Sequence, residues 1–194
     1  MRLHRRPNKL RRNRLTSRSS RRLRRRLTQA LDTSMLNAMP NSIFEQFLSP
    51  AGRAAATSEL ASRGALALPV LVSLFDGSAR NNYGIPYRQL GAPLDCGLVA
   101  ARSLGVAARP LEPFLRNELR AGHPYAAGAL GALGLLSDES VCALAEALRS
   151  DPLIACEAAA ALSLCSATNH AAVKEVSASS TIATKALAVV SASV

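Results

Sequence analysis

Acidic residues are missing from the first 31 positions of this 194-residue chain, which hold 13 arginines and lysines. Tryptophan is absent, and only four phenylalanines and three tyrosines occur. That scarcity excludes a core built on large rings and leaves the apolar content to alanine and the aliphatics, a composition suited to thin helices packed through small side chains. The four cysteines contain no C-x-x-C pair, which removes the common zinc and dithiol spacings. Cys96, Cys142, Cys156 and Cys165 each fall on or beside an expected helix interior and read as buried free thiols. The longest uncharged apolar runs, 126–136 and 186–190, are well short of the roughly 20 residues a membrane-crossing helix needs. No continuous apolar stretch follows the N-terminal arginines, as a secretory signal would require. A soluble, cytoplasmic protein is the resulting expectation.

What is present is an internal repeat. Leu60, Leu104, Leu133 and Leu162 share one frame, and 11 residues after each comes another aliphatic, Leu71, Leu115, Leu144 and Val173. The last three copies are spaced by 29 residues, whereas the first gap is 44, so one connection carries an insertion of 15. Four residues before each leucine stand Ala56, Ala100, Ala129 and Ala158, and 15 after come Phe75, Leu119, Leu148 and the mismatched Ser177. Alanine four residues before leucine, a short break and a second ladder at i, i+4 describe two helices packed as a hairpin. A single hairpin of this kind cannot bury its apolar face, so the copies must stack.

The frame predicts first helices over about 50–63, 93–105, 123–134 and 152–163, and second helices over about 66–76, 109–121, 138–149 and 168–177. Gly64 and Gly105 are placed to end helices in the left-handed region, and Gly134 with Ser137 reads as a stop followed by an N-cap. Pro110 and Pro113 set the start of the second hairpin's second helix at Leu111 or later. The chain divides into an Arg-rich disordered tail at 1–31, a linker and N-terminal capping helix at 32–48, and helical repeats at 49–194 with a loop insertion at 77–92. Ser42 and Glu45 have capping-box spacing.

The segments LALPVLVSLFDG at 66–77, LVAARSLGVAARPLEPFL at 98–115 and AAGALGALGLLSDESVCALAEAL at 126–148 resemble the HEAT-repeat family, especially its short bacterial members. The resemblance covers about residues 49–177. It implies an all-α fold, an α-solenoid of about four to five stacked helical hairpins. The function it implies is that of a non-catalytic protein-binding scaffold, because the family consists mostly of binding proteins with diverse partners. Two enzymatic branches of HEAT-like proteins carry further marks. Deoxyhypusine hydroxylases bind metal through His-Glu motifs, but His4, His123 and His170 are not followed by glutamate here; phycobilin lyases share only the fold with this chain. No cofactor is implied.

Beyond residue 31 the chain holds 11 basic and 13 acidic residues, so the high pI belongs to the tail. A run such as RRLRRRL at 21–27 repels itself and condenses on phosphates or an anionic surface by counterion release. Three readings of residues 1–31 stand side by side: a nucleic-acid-binding arm, an organellar transit peptide with Leu15, Leu23 and Leu27 on one side, and an extension that precedes a later natural start at Met35 or Met39.

Candidate binding residues concentrate in the insertion, GSARNNYGIPYRQLGAP at 77–93. Arg80, Asn81, Asn82, Tyr83, Tyr87 and Arg88 bring together the residue types that supply binding energy at protein interfaces. The alternative is that Ile85, Pro86, Tyr87 and Leu90 fold back to cover the side of the stack. On the second helices Arg116 and Arg120, with Arg149 as the repeat equivalent of Arg120, offer a further surface; Glu112 and Arg116 also have the spacing of an ordinary exposed i, i+4 pair. A nucleophilic site would have to combine Cys96, Asp95 and His123, for which the spacing provides only general proximity. GALGALG at 128–134 lacks the spacing of a nucleotide-binding turn and reads as a close helix contact.

If the tail is a polyanion-binding arm, the full-length chain binds RNA or DNA with an affinity that falls steeply with salt, and deleting residues 1–31 abolishes the binding. Fluorescence anisotropy over a salt series checks this; a tail-less protein that binds equally well refutes it.

Overall fold

A computed structural model describes residues 43–192, and all of the regular structure there is helical. The segment at 1–31 that the sequence marks as disordered, and Ser42 of the expected capping box, lie outside the described residues. Helical turns at 43–48 (α1) lead into α2 (Arg53–Ser62), α3 (Leu68–Phe75), α4 (Ala92–Leu104), α5 (Glu112–Arg120), α6 (Pro124–Ala132), α7 (Asp138–Ala147), α8 (Pro152–Leu164), α9 (Ala171–Ser179) and α10 (Thr181–Ser191). No helix among the described residues is long and apolar enough to cross a membrane.

Most of these elements begin and end for local reasons. Pro152 opens α8, and the Asp151 carboxylate before it accepts from the Leu153 and Ile154 amides at 2.9 and 3.2 Å. Ser180 caps α10 through the Ala183 amide at 3.3 Å, so a single residue separates α9 from α10. Gly64 and Gly105 have φ of +56° and +57° and end the first helices of their hairpins, as the sequence suggests. The second helices start later than the apolar ladder alone predicts. Tighter 3-10 turns at Gly64–Ala67 and Gly105–Leu111 precede α3 and α5, and Pro110 lies inside the second of them, where its missing amide proton cannot serve an α-helical bond. The helix then begins at Glu112 with Pro113 in its first turn, where that missing proton costs nothing.

The packing order follows the repeat. Helix α2 packs on α4, α4 on α6, α6 on α8 and α8 on α10, while α5 packs on α7 and α7 on α9. The frame residues lie at these contacts: Leu60, Leu133 and Leu162 are fully buried, as are Leu71, Leu115 and Leu144 and all four alanines Ala56, Ala100, Ala129 and Ala158. Leu104 is only partly buried, against the same core. Ser177, the mismatch in the fourth copy, is half-buried in α9.

Two glycines of α6 show how close the helices come. A Cβ on Gly131 would stand 2.8 Å from the Cα of Ala161 in α8, a distance no side chain can relieve because the obstacle is backbone. A Cβ on Gly128 would meet the end of Arg102 at 3.0 Å and the Glu157 carboxylate at 3.2 Å, both flexible. The expected outcomes therefore diverge. Gly131→Ala forces α6 and α8 apart and lowers stability by about 1–3 kcal/mol, whereas Gly128→Ala shifts the ends of exposed Arg102 and half-buried Glu157 and gains helix propensity, leaving stability level or raised by up to about 1 kcal/mol. Thermal or urea unfolding of the two variants checks this, and equal midpoints refute the close contact.

Candidate functional site

The insertion between α3 and α4 is a built object. At its base the Ala79 amide donates to the Ser73 carbonyl at 2.8 Å and the Tyr87 amide to the Ala79 carbonyl at 3.0 Å, with an antiparallel bridge between Arg80 and Pro86. At its tip the Asn81 side-chain oxygen accepts from the Tyr83 and Ile85 amides, both at 3.0 Å, while Arg80 Nη1 donates to the Gly84 carbonyl at 2.7 Å. Asparagine suits this position because its short amide bonds the backbone two residues on and so closes the turn itself.

Two residues fasten the loop to the helices. Tyr87 is 1 % exposed; its ring centroid lies 5.1 Å from that of Phe44 in α1 and its hydroxyl donates to Glu45 Oε1 at 2.5 Å. Burial, then the hydrogen bond and charge of Glu45, push the Tyr87 phenol up to about 12. Arg88 donates through Nη1 to the Phe75 carbonyl and through Nη2 to Glu118 Oε1, the latter at 2.8 Å. Glu118 is almost fully buried in α5, and its other oxygen faces Nε2 of His123 at 3.4 Å without forming a hydrogen bond. One carboxylate thus joins the insertion, α5 and the turn before α6. Stranding a buried charge of this kind by removing its partner costs about 3–5 kcal/mol.

These placements separate the residues that the sequence groups together. Tyr87 and Arg88 hold the loop down rather than presenting it, because the phenol ring has no exposed face and the guanidinium is committed to two acceptors. Asn81 and Arg80 shape the tip through hydrogen bonds to its backbone. Tyr83, 88 % exposed, stands out from it beside exposed Asn82 and Ile85. The fold-back reading of Ile85, Pro86, Tyr87 and Leu90 therefore describes Tyr87 and the partly buried Leu90, and not Ile85.

On the second helices, Glu112 and Arg116 do not form the exposed i, i+4 pair that their spacing suggests. Glu112 Oε1 accepts from the Ser137 amide at 2.8 Å and from its hydroxyl at 2.6 Å, so Ser137 stands at the N-cap of α7 with its side chain turned to α5. Arg116 reaches Glu139 at 2.7 Å and Ser140 at 3.3 Å. Burial pushes the Glu112 carboxyl up, but the two bonds from Ser137, aided by Ser140 and Arg116, outweigh it and hold the group below the ordinary carboxylate range. The cross-helix contacts prevail because the start of α7 offers unpaired amides and hydroxyls to the side chains of α5. Arg149 donates to Ser179 at 3.0 Å, and Arg120 is exposed without a partner among the described residues.

Glu118 is the residue that sequence reasoning missed. A signal existed: in the repeat frame its equivalents are Leu74, Ala147 and Val176, all buried apolar residues. A carboxylate in that slot must have a partner.

Cys96, Asp95 and His123 are not brought together as a nucleophilic site. His123 is turned to Glu118, whereas Cys96 and Asp95 line an open cleft of about 580 Å³ between α2 and α4. Burial pushes the Cys96 thiol up, against the smaller opposing effects of Thr57 and Arg53, and a raised thiol is a poor nucleophile. All four cysteines are free: Cys96 is buried, Cys142 and Cys165 are half-buried, and Cys156 is exposed on α8, contrary to the expectation of a buried thiol there. Alanines bury the inner face of α8 and leave position 156 outside it. Among the described residues no group of three or more His, Cys, Asp or Glu side chains is placed to hold a metal ion. No protein-family model, curated protein or solved structure matches this chain.

The Tyr87 anchor makes alkaline stability a readout of loop attachment. A phenol whose folded pKa lies above its unfolded value of about 10 contributes stability that is complete below that value and lost as pH rises toward about 12. Tyr87→Phe should be less stable at neutral pH, through loss of the Glu45 bond, and its unfolding midpoint should fall less than that of the unaltered chain over this alkaline window. Chemical denaturation across pH checks this, and parallel pH profiles refute the anchor.

Proposed function

We propose that residues 49–194 form a HEAT-like α-solenoid that serves as a non-catalytic, protein-binding scaffold in the bacterial cytoplasm, with the tip of the 77–92 insertion as its recognition element. The solenoid reading is supported by the succession of helix contacts, in which each hairpin packs on the next. The observation that carries the binding reading is the contrast within the loop. Its base is fixed by a buried tyrosine and a half-buried arginine, and its tip holds a tyrosine almost wholly in water. Leaving a tyrosine exposed forgoes burial energy that the fold would otherwise use, and tyrosine supplies binding energy when a partner's pocket takes it up. A tip held in one conformation before binding also loses little entropy on docking.

The side chains that remain available on this reading are Asn82, Tyr83 and Ile85 at the tip and, on the second helices, Arg120. Arg149, held by one hydrogen bond to Ser179, is available at small cost. The partner is another protein.

The test replaces Tyr83 with a photo-crosslinking residue in the native cell and identifies the captured protein. Against that protein, Tyr83→Ala should weaken binding by at least about tenfold with an unchanged melting temperature, while Tyr87→Ala should lower the melting temperature and affect binding only through the loop's attachment. Unchanged affinity of the Tyr83→Ala protein for the captured partner rejects the loop as the recognition element.

A further inference from the structure

A second site is suggested by the cleft between α2 and α4. It has a volume of about 580 Å³, within the range of roughly 300–1,000 Å³ typical of small-molecule pockets. One end carries two opposite charges, Arg53 in the first turn of α2 and Asp95 in the first turn of α4. The Arg53 Nε is committed to the Phe47 carbonyl at 2.8 Å. Its two terminal nitrogens, and both oxygens of Asp95, make no hydrogen bond or ion pair with any described residue, and the two side chains do not pair with each other. Both charges stand in the first turns of helices that pack on each other, and both line the same cleft as Cys96.

Away from that end the lining turns apolar. Val99 lies one turn further along α4 and Ala61 two turns further along α2, while Tyr125 in the first turn of α6 and Ser58 of α2 also line the cleft. The hydroxyls of Thr57 and Ser103 donate back to carbonyls of their own helices, at 2.8 and 3.0 Å, so neither offers its proton to a ligand. From Arg53 to Ala61 the helix rises about 12 Å, the length of an extended side chain with its head group.

The charge pattern selects among ligands. A phosphate or other polyanion meets Asp95, a polyamine meets Arg53, and a purely apolar molecule leaves both charges beneath it unpaired. A neutral molecule that carries one carboxylate and one ammonium close together, on an apolar body, satisfies both. We propose that the α2–α4 cleft binds a large apolar α-amino acid, of the leucine or phenylalanine class, with its carboxylate on Arg53, its ammonium on Asp95 and its side chain along Val99 and Tyr125.

The test titrates the full-length chain with L-phenylalanine, 2-phenylethylamine and 3-phenylpropionate by calorimetry or ligand-observed NMR. L-phenylalanine should bind saturably, and each analogue, lacking one charge, should bind about tenfold more weakly, equivalent to about 1.4 kcal/mol. Asp95→Asn should weaken L-phenylalanine and leave 3-phenylpropionate unchanged. Arg53→Gln should also weaken L-phenylalanine, but leave 2-phenylethylamine unchanged. Because Arg53 also holds the Phe47 carbonyl, that variant could loosen α1; the three-ligand comparison on the unaltered chain decides without it. Tyr83→Ala should bind L-phenylalanine normally, so failure of the loop as a recognition element leaves this site standing. Absence of saturable binding overturns the proposal, as does equal affinity for all three ligands, which would describe an apolar crevice.

Discussion

Everything in this molecule depends on how closely one helix backbone can approach the next. With few rings to fill space, the apolar contribution comes from many small contacts between alanine, glycine and leucine, each weak and each steeply dependent on distance. At Gly131 and Ala161 the two backbones come near enough that a single methyl group has no room. Along the series from α2 to α10, helices α4, α6 and α8 each pack on the one before and the one after, so much of the buried area lies between elements distant in sequence.

The insertion works by a different physics. Beside the packing of the Tyr87 ring on Phe44, its connection to the helices relies on a few polar contacts: a phenol on a carboxylate, and a guanidinium on a buried carboxylate and a carbonyl. Polar contacts of this kind specify geometry, because each is lost when its distance or angle fails, whereas apolar packing tolerates sliding. The repeats supply stability and the insertion supplies definition. This division suits a surface loop that must hold one shape with almost no apolar area beneath its tip.

The helices were legible in the sequence because the alanine and leucine ladders repeat and each copy reports on the others. Helix starts were less legible. The ladder cannot distinguish a 3-10 turn from the first turn of an α-helix, and α3 and α5 begin after such turns. The insertion could be located, since it breaks the 29-residue spacing, but the roles within it could not. Tyr83 and Tyr87 are chemically identical and four residues apart; which of them is buried depends on Phe44 and Glu45, some 40 residues away, and no local pattern carries that information. Glu118 is intermediate. Its conflict with Leu74, Ala147 and Val176 in the repeat frame shows that something must meet it, without naming Arg88. The cleft between α2 and α4 was invisible, because Arg53 and Asp95 belong to different hairpins and neither departs from an ordinary helix surface.

The two attachments of the insertion also change how the chain responds to force. Helices that pack only on their neighbours in a series can be peeled from one end with little resistance from the rest. Tyr87 reaches back to α1 across 42 residues and Arg88 reaches forward to α5 across 30, so a pull on the N-terminal end of the stack loads the first and second hairpins together. The loop is a clasp across the first joint, whereas the later joints are tied by single side chains such as those of Glu112, Arg116 and Arg149.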